Sequence, residues 1–164
     1  MLRNVSSIPV VLVTLALAAC GGSAPPQGQA PKANEKAIYI SAADCADAGK
    51  LTPDICSALI ERTVKEHIKT AQVFKSLRSC EEASGVDRCE RDADGNHRMR
   101  LQAFMFEIGG PQPVVTPLYP SAEGKVGFRD AKKKLIDARD DNLLVSQQSL
   151  QIAFENSKIR KKAR

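Results

Sequence analysis

The pattern of apolar and polar residues divides the chain into three parts. An apolar stretch of 12 residues, 8–19, follows a basic start at Arg3. Residues 21–36 contain Pro, Gly, Gln and Ala but no large apolar side chain, which is typical of a flexible tether. From Ile38 onward, apolar residues recur at regular intervals, with helical spacing first and strand-like runs later. The pattern therefore predicts a leader, a tether and a folded part.

The longest predicted helix covers residues 53–72. Thr52 is its expected N-cap, Pro53 suits the first helical position, and Asp54 complements the helix dipole. Apolar residues spaced three and four apart predict one stripe facing the core: Ile55, Leu59, Ile60, Val64, Ile68 and Ala71.

Two short helix–turn units surround this helix and repeat one pattern. Ser41 and Ser76 each precede a cysteine by four positions, and each is predicted to be an N-cap. Gly49 and Gly85 are predicted to end the two short helices in the left-handed conformation.

The later part of the chain predicts short strands and a last helix. Pro117 limits pairing in the second strand segment, which predicts an edge strand there. Ser146 is expected to cap a helix that reaches about residue 158. The strand segments are residues 99–108, residues 114–119, and a hairpin of residues 126–129 with residues 135–136.

These elements predict an α+β fold. Its N-terminal half is small, helical and disulfide-stapled, with two short helix–turn units around one longer helix. Short antiparallel strands and a C-terminal helix follow. The expected organisation is a lipoprotein signal peptide (1–19), a lipidated Cys with its tether (20–37), the helical part (38–96), and strand segments with a basic C-terminal helix (97–164) that form one domain with 38–96.

Cys20 is the predicted lipidation site. The apolar stretch ends in Leu17-Ala18-Ala19-Cys20, which resembles the lipobox of bacterial lipoproteins, and it is too short to span a bilayer. Acyl chains such as palmitate on Cys20 would hold the protein to a membrane. Gly21 in place of Asp resembles lipoproteins sent to the outer membrane, so we expect a periplasm-facing, outer-membrane-anchored protein of the cell envelope. The alternative is an ordinary secretory signal with Cys20 as an incidental thiol.

Four further cysteines predict two disulfides, because an even number in an exported chain is typical of a disulfide framework. Their spacing lacks the C-x2-C pairs of zinc and thioredoxin-like sites. Cys45 and Cys56 lie equidistant from the turn between the first two helices, which favours Cys45–Cys56 with Cys80–Cys89. A similar symmetry about the end of the long helix leaves Cys56–Cys89 with Cys45–Cys80 as the alternative.

Positive charge is concentrated at the C-terminal end. The chain has 24 basic and 19 acidic side chains, net +5, and residues 129–164 hold 10 and 5 of these, so they account for the whole excess. Contact with an anionic surface is one interpretation, and a solvated helix end that complements the dipole is the other. The chain predicts no nucleic-acid partner, because no aromatic residues interleave with the cations. The terminal cations are Lys158, Arg160, Lys161, Lys162 and Arg164.

The sequence carries no recognisable catalytic, cofactor-binding or metal-binding motif, so we expect a non-enzymatic protein without a cofactor. His67 and His97 lack metal-ligand spacing, and His67 lies beside the apolar stripe as an expected packed residue. Residues 92–96 resemble half of an EF-hand loop, but no bidentate Glu follows, so they predict a turn into a strand.

Several motifs together resemble the YgiB-like bacterial lipoproteins, a family named for a domain of unknown function. Besides the lipobox they are Ile38-Tyr39-Ile40-Ser41-x-x-Asp44-Cys45, Cys80-Glu81 and Phe128-Arg129-Asp130-Ala131. Gln72 stands where that family commonly has Pro, and a basic end replaces its Gly/Ser/Thr-rich tail. The resemblance implies an envelope lipoprotein and supplies no activity.

The expected function is contact with another envelope component, such as a protein partner, in addition to the membrane anchor. This function predicts an exposed apolar patch, which the sequence places around Phe104, Phe106 and Leu118. The alternative is a module that binds an anionic envelope polymer or a small ligand. That alternative predicts salt-sensitive binding weakened by substitution of Lys161 and Lys162.

Overall fold

A computed structural model of the chain describes residues 34–158. The predicted signal peptide, Cys20, the tether as far as residue 33, and four of the terminal cations lie outside these residues. Those four cations are Arg160, Lys161, Lys162 and Arg164. Predictions that concern these parts of the chain stay predictions.

The described residues form the predicted α+β fold, with helices mainly in the first half and strands mainly in the second. Four predicted N-caps, Ser41, Thr52, Ser76 and Ser146, each accept a hydrogen bond from the backbone N–H three residues later. In chain order the elements are β1 (Glu35–Tyr39), α1 (Ala42–Asp47), α2 (Pro53–Thr70), β2 (Val73–Phe74), α3 (Leu77–Ser84), β3 (Cys89–Arg91), β4 (His97–Met99), β5 (Ala103–Ile108), β6 (Val114–Pro120), β7 (Gly127–Arg129), β8 (Leu135–Asp137), β9 (Leu143–Val145) and α4 (Gln147–Ser157).

Six strands form the main sheet, in the order β8-β7-β6-β5-β1-β9. The expected short antiparallel strands are present, and strand β1, which was not predicted, pairs antiparallel with β5 and parallel with β9. The tether was expected to reach residue 37, but β1 begins at Glu35. Lys36 lies opposite Glu107 on β5, and their side chains form an ion pair of 3.1 Å, so these polar residues belong to the sheet.

The predicted strand over residues 99–108 is divided in two. Strand β4 joins β2 and β3 in a separate three-stranded sheet, whereas β5 enters the main sheet. The break falls where the Arg100 N–H donates to the Arg88 carbonyl and the Gln102 N–H donates to the Leu118 carbonyl. The chain therefore passes from one sheet to the other at this point. Residues 92–96 form the predicted turn, which leads from β3 into β4.

The core lies on both faces of the main sheet, because side chains alternate along each strand. One face packs Tyr39 and Phe106 with α1 and α2, and the other packs Ile38 and Leu118 with α4. The predicted exposed patch is wrong, because Phe104 is 6 % exposed and Phe106 and Leu118 are 0 % exposed. These residues are the centre of the core.

Helix α2 packs against the core with the middle of its predicted stripe, Leu59, Ile60 and Val64, but not with the outer parts. Ile55 and Ile68 are 42 % and 55 % exposed, while Cys56, Thr63 and His67 are buried. The stripe prediction is therefore wrong at its two outer isoleucines. The disulfide at Cys56 joins α2 to α1 and so helps to set which side of α2 faces inward.

Two disulfides hold the helical half together, and they confirm the cysteine pairing that the sequence favoured. Cys45 on α1 bonds to Cys56 on α2, and Cys80 on α3 bonds to Cys89 on β3. The second bridge therefore connects a helix to a strand rather than to another helix. Gly85 ends α3 at φ +100° and ψ 160°, so the left-handed helical cap predicted there is wrong, while Gly49 has φ +68°.

Candidate binding groove along strand β6

A groove of about 350 Å³ lies between α2 and β6, and we call it the β6 groove. One wall is a stripe of α2 with helical spacing, including Leu59, Thr63 and His67. The other wall is the start of β6, including Val115 and Pro117. The groove is therefore the space between one side of α2 and the start of β6.

A second groove of about 300 Å³ continues along the same strand, and we call it the inter-sheet groove. It shares Thr70 and Pro117 with the β6 groove. Its other walls include Phe74 and Met99 from the three-stranded sheet and Lys133 from the turn between β7 and β8. The two grooves therefore follow β6 one after the other.

Strand β6 is only partly covered by its neighbours in the sheet. Strand β5 pairs with residues 114–118, while β7 pairs with Tyr119 and Pro120 alone. The edge of residues 114–118 that faces away from β5 consequently has no strand beside it. The prediction of an edge strand is thus right for these residues, although β6 as a whole lies inside the sheet order.

A buried polar pair fastens α2 to β6 beside the groove. His67 is 3 % exposed and Tyr119 is 4 % exposed, and His67 Nδ1 lies 2.9 Å from the Tyr119 hydroxyl. His67 is therefore the packed residue that its sequence position predicted. Burial raises the pKa of Tyr119, and the charge of Glu90 raises it further.

Glu90 on β3 extends this pair toward the small sheet. Its Oε1 lies 3.9 Å from His67 Nε2, which has no hydrogen-bond partner among the described residues. This distance is longer than a hydrogen bond, so the two groups are neighbours without a hydrogen bond between them. The Tyr119–His67–Glu90 series therefore links β6, α2 and β3 around the place where the two grooves meet.

Three charged side chains at the grooves have no ion pair within the described part of the chain. Arg62 and Glu66 line the β6 groove, and Lys133 lines the inter-sheet groove. Arg62 and Glu66 have ion-pair spacing, but they form no salt bridge in residues 34–158, whereas Glu61 and Lys65 approach to 3.9 Å. The rim therefore offers two cations and one carboxylate to a ligand.

Of the sequence-predicted site residues, the structure describes the four disulfide cysteines and Lys158, and none of these lines either groove. Lys158 forms an ion pair of 2.5 Å with Glu155, one turn earlier. Within residues 34–158, no cluster of three or more His, Cys, Asp or Glu has an arrangement that could hold a metal ion. No helix in the same residues is long and apolar enough to cross a bilayer.

Sequence reasoning did not find the grooves. They depend on which residues of β6 are left unpaired by β7, and this pairing is not visible in the periodicity of either segment. One signal was present, because Pro117 had marked this strand as limited in its pairing. His67 was correctly predicted to be packed, but its partner Tyr119 lies 52 residues away.

The fold and the grooves define a disulfide-bonded α+β domain with an open strand edge. Residues 33–163 match the family described as "Protein of unknown function (DUF1190)", and the chain belongs to this family. No curated protein and no solved structure matches the chain.

Proposed function

We propose that this protein is a non-enzymatic cell-envelope lipoprotein that acts by contact with another envelope component. The lipobox at Cys20 and the resemblance to YgiB-like lipoproteins support the membrane anchor, and Gly21 supports the outer membrane. The tether supports a domain positioned close to the membrane surface. The contact itself is supported by the β6 groove.

The observation that carries the proposal is the unpaired edge of residues 114–118 beside that groove. Proteins usually cover, shorten or charge their strand edges, because unpaired backbone groups readily bind another chain. Here the edge runs along a groove walled by α2, and Val114 at its start is 57 % exposed. This arrangement is typical of a surface that receives a partner.

The test is site-specific photo-crosslinking in cells of the full-length lipidated chain. A photoreactive residue replaces Val114 in the groove, and a matched control replaces Phe154, which is 46 % exposed on α4 and lies on no strand edge. We expect position 114 to capture one discrete envelope protein that position 154 does not capture. A Cys20→Ser chain should lose most of that product if the anchor positions the contact.

Two outcomes would argue against this function. Equal capture at both positions would indicate random encounters, and no capture at position 114 would leave the groove without a partner. Persistence of the same product in the Cys20→Ser chain would contradict the role of the anchor while leaving the contact itself in place.

A second candidate is binding of an anionic envelope polymer, which one observation favours. Lys132, Lys133 and Lys134 are consecutive, exposed residues at the β7–β8 turn, and none of them has an ion pair among the described residues. They add to the predicted basic C-terminal end. Because attraction between exposed charges is screened by salt, such binding would weaken as salt rises.

Sedimentation with phosphatidylglycerol vesicles, compared with phosphatidylcholine vesicles, tests this candidate. We expect binding to the anionic vesicles at low salt, loss at high salt, and weaker binding after Lys161→Gln with Lys162→Gln. Equal sedimentation with both vesicles would exclude the basic residues as the cause.

A further inference from the structure

We infer that the partner is bound as an extended peptide, which adds a strand to the open edge of β6. This inference rests on the proposed function and specifies the chemistry of its contact. It follows from the backbone register of β6, the point where β7 leaves the sheet, and the charges at the rim.

The register determines which backbone groups of β6 face the open edge. Pro117 lies opposite Phe104 and has no N–H, so this pair takes the non-hydrogen-bonded position of the antiparallel ladder. Since such positions alternate, residues 114, 116 and 118 bond to β5. The Leu118 carbonyl points to the same side, where it accepts from the N–H of Gln102, the residue just before β5. Val115 and Pro117 therefore direct their backbone groups away from β5.

Pairing with β7 agrees with this alternation. Pro120 lies opposite Phe128 and again cannot donate, so the bonded pair is Tyr119 with Arg129. The backbone N–H and carbonyl of Tyr119 point to the same side as the backbone polar groups of Val115 and Pro117, and Arg129 on β7 provides their hydrogen-bond partners. The N–H of Val115 and the carbonyls of Val115 and Pro117 have no partner among the described residues. Three hydrogen-bonding groups thus remain in a row along the edge.

The space beside these groups begins where β7 turns away. After Arg129 the chain makes a turn, in which the Lys133 N–H donates to the Asp130 carbonyl, and continues into β8. Lys133 lines the inter-sheet groove at this point, and the β6 groove continues along the edge. Residues 114–118 extend over about 17 Å at the rise of a strand, which matches a peptide of about five residues.

The balance of donors and acceptors favours a foreign peptide over a second copy of this edge. The open edge offers two carbonyls but only one N–H, because Pro117 lacks a donor. Two such edges placed together would have four carbonyls but only two N–H groups, so some carbonyls would be left without a donor. A peptide without proline supplies an N–H for each carbonyl, as in strand addition to other open sheets.

The charges at the rim specify the peptide further. Arg62 and Lys133 are cations without an ion pair in residues 34–158, and Glu66 is the one carboxylate beside them, so the rim has a net charge of +1. A peptide with an acidic side chain complements this rim. Its alternate side chains would contact the α2 wall at Leu59 and Thr63, which favours apolar or β-branched residues there.

The experiment selects ligands from a bead-displayed library of random heptapeptides, with the full-length lipidated protein in detergent as the target. We expect enrichment of β-branched and acidic peptides without proline. Val115→Pro removes the one N–H of the edge and should weaken their binding by at least about tenfold, whereas the matched control Val115→Thr retains it. Arg62→Gln with Lys133→Gln should weaken the acidic peptides selectively.

Pro117→Val provides an independent test that does not depend on a disruptive substitution. It restores an N–H at the edge, so the selected peptides should bind about 3–10 times more tightly. The Val115 amide should also become protected from hydrogen exchange when a selected peptide is added to the unaltered chain.

The inference is overturned if no peptide is enriched, or if the selected peptides bind Val115→Pro and Pro117→Val as they bind the unaltered chain. These results are distinct from a failure of the proposed function. If photo-crosslinking at position 114 captures a protein while no peptide binds, the contact stands and strand addition is wrong. If neither experiment finds a ligand, both proposals are wrong.

Discussion

Ser146 Oγ donates a hydrogen bond of 2.7 Å to Asp44 Oδ2, although the two residues are 102 positions apart. The same carboxylate oxygen accepts from the Ile40 N–H at 2.9 Å and lies 3.5 Å from the Ser149 hydroxyl. Asp44 is 5 % exposed. One buried carboxylate thus joins α1, the end of β1 and the N-terminus of α4, where the helix dipole also favours a negative charge.

Asp44→Ala should lower the free energy of unfolding by about 2–4 kcal/mol, because it leaves a buried N–H and a hydroxyl without their acceptor. Asp47→Ala on the exposed end of the same helix is the matched control and should change stability by less than about 0.5 kcal/mol. Urea unfolding measures both. Equal effects would mean that the Asp44 network contributes nothing beyond its position in α1.

Both tyrosines should titrate late, and the folded protein should lose stability at alkaline pH. Burial raises the pKa of Tyr39 and of Tyr119 above the ordinary value of 10.0, with further contributions from nearby carboxylates. The folded state therefore holds these protons more tightly than the unfolded state. The stability is fully present below about pH 10 and is lost as the pH rises through the folded pKa values.

Ultraviolet absorbance of tyrosinate tests this directly, since the chain has two Tyr and no Trp. Tyr119→Phe should remove one of the two late titrations and reduce the alkaline loss of stability. Normal titration of both tyrosines in the folded chain would contradict their burial.

Removing either disulfide should destabilise the domain by about 2–3 kcal/mol, because the closed loops have sequence separations of 11 and 9 residues. The loss should be larger for Cys45→Ala with Cys56→Ala, since both residues are 0 % exposed in the core, whereas Cys89 is only half-buried. Chemical unfolding of the two double variants compares them. A larger loss for the Cys80–Cys89 pair would contradict this order.

Gly127→Ala should strongly destabilise the edge formed by β7 and β8. Gly127 has φ +144°, and an added Cβ would overlap the Ile136 carbonyl oxygen, which is backbone on the paired strand. We expect a loss of more than about 2 kcal/mol. Gly124→Ala is the control with open space around it, and it carries only the cost of a positive φ. Similar thermal midpoints for the two variants would disprove the steric argument.

The pKa of Asp137 should lie well below the ordinary value of an aspartate. Hydrogen bonds from the side chain and the backbone N–H of Arg139 lower its pKa to about 2. Arg139→Gln should raise that pKa toward the ordinary value of about 3.9 but not restore it, because the backbone donor remains. Carboxyl NMR titration of both chains measures the change, and an unchanged pKa would exclude the guanidinium as its main cause.

The local elements of this fold were predictable because their signals lie within one or two helical turns. Ser41 and Ser76 cap helices through the third following amide, and this geometry needs no tertiary contact. The disulfide pairing was also largely local, since each bridge joins cysteines on neighbouring elements. The turn at residues 92–96 followed from its Asp and Gly residues alone.

The errors fell where distant segments meet. Strand β1 was assigned in part to the tether, since Glu35 and Lys36 become strand residues only through pairing with β5 and β9, far along the chain. Phe104 and Phe106 were expected on the surface because nothing in their own segment reports that α1 and α2 cover them. Ile55 and Ile68 of α2 were likewise expected in the core but are exposed, whereas Leu59 and Val64 between them do pack against it.

The sequence by itself therefore determined the fold class, the helix starts and the expectation of a lipid anchor, and it favoured the observed cysteine pairs over one alternative, since each depends on chemistry among near neighbours. Only the tertiary structure decided the candidate site. The grooves exist because β7 leaves β6 after Tyr119, which exposes the backbone of Val115 and Pro117 beside α2. Strand pairing over such distances depends on how the whole sheet and its covering helices pack together, and no single segment contains that information.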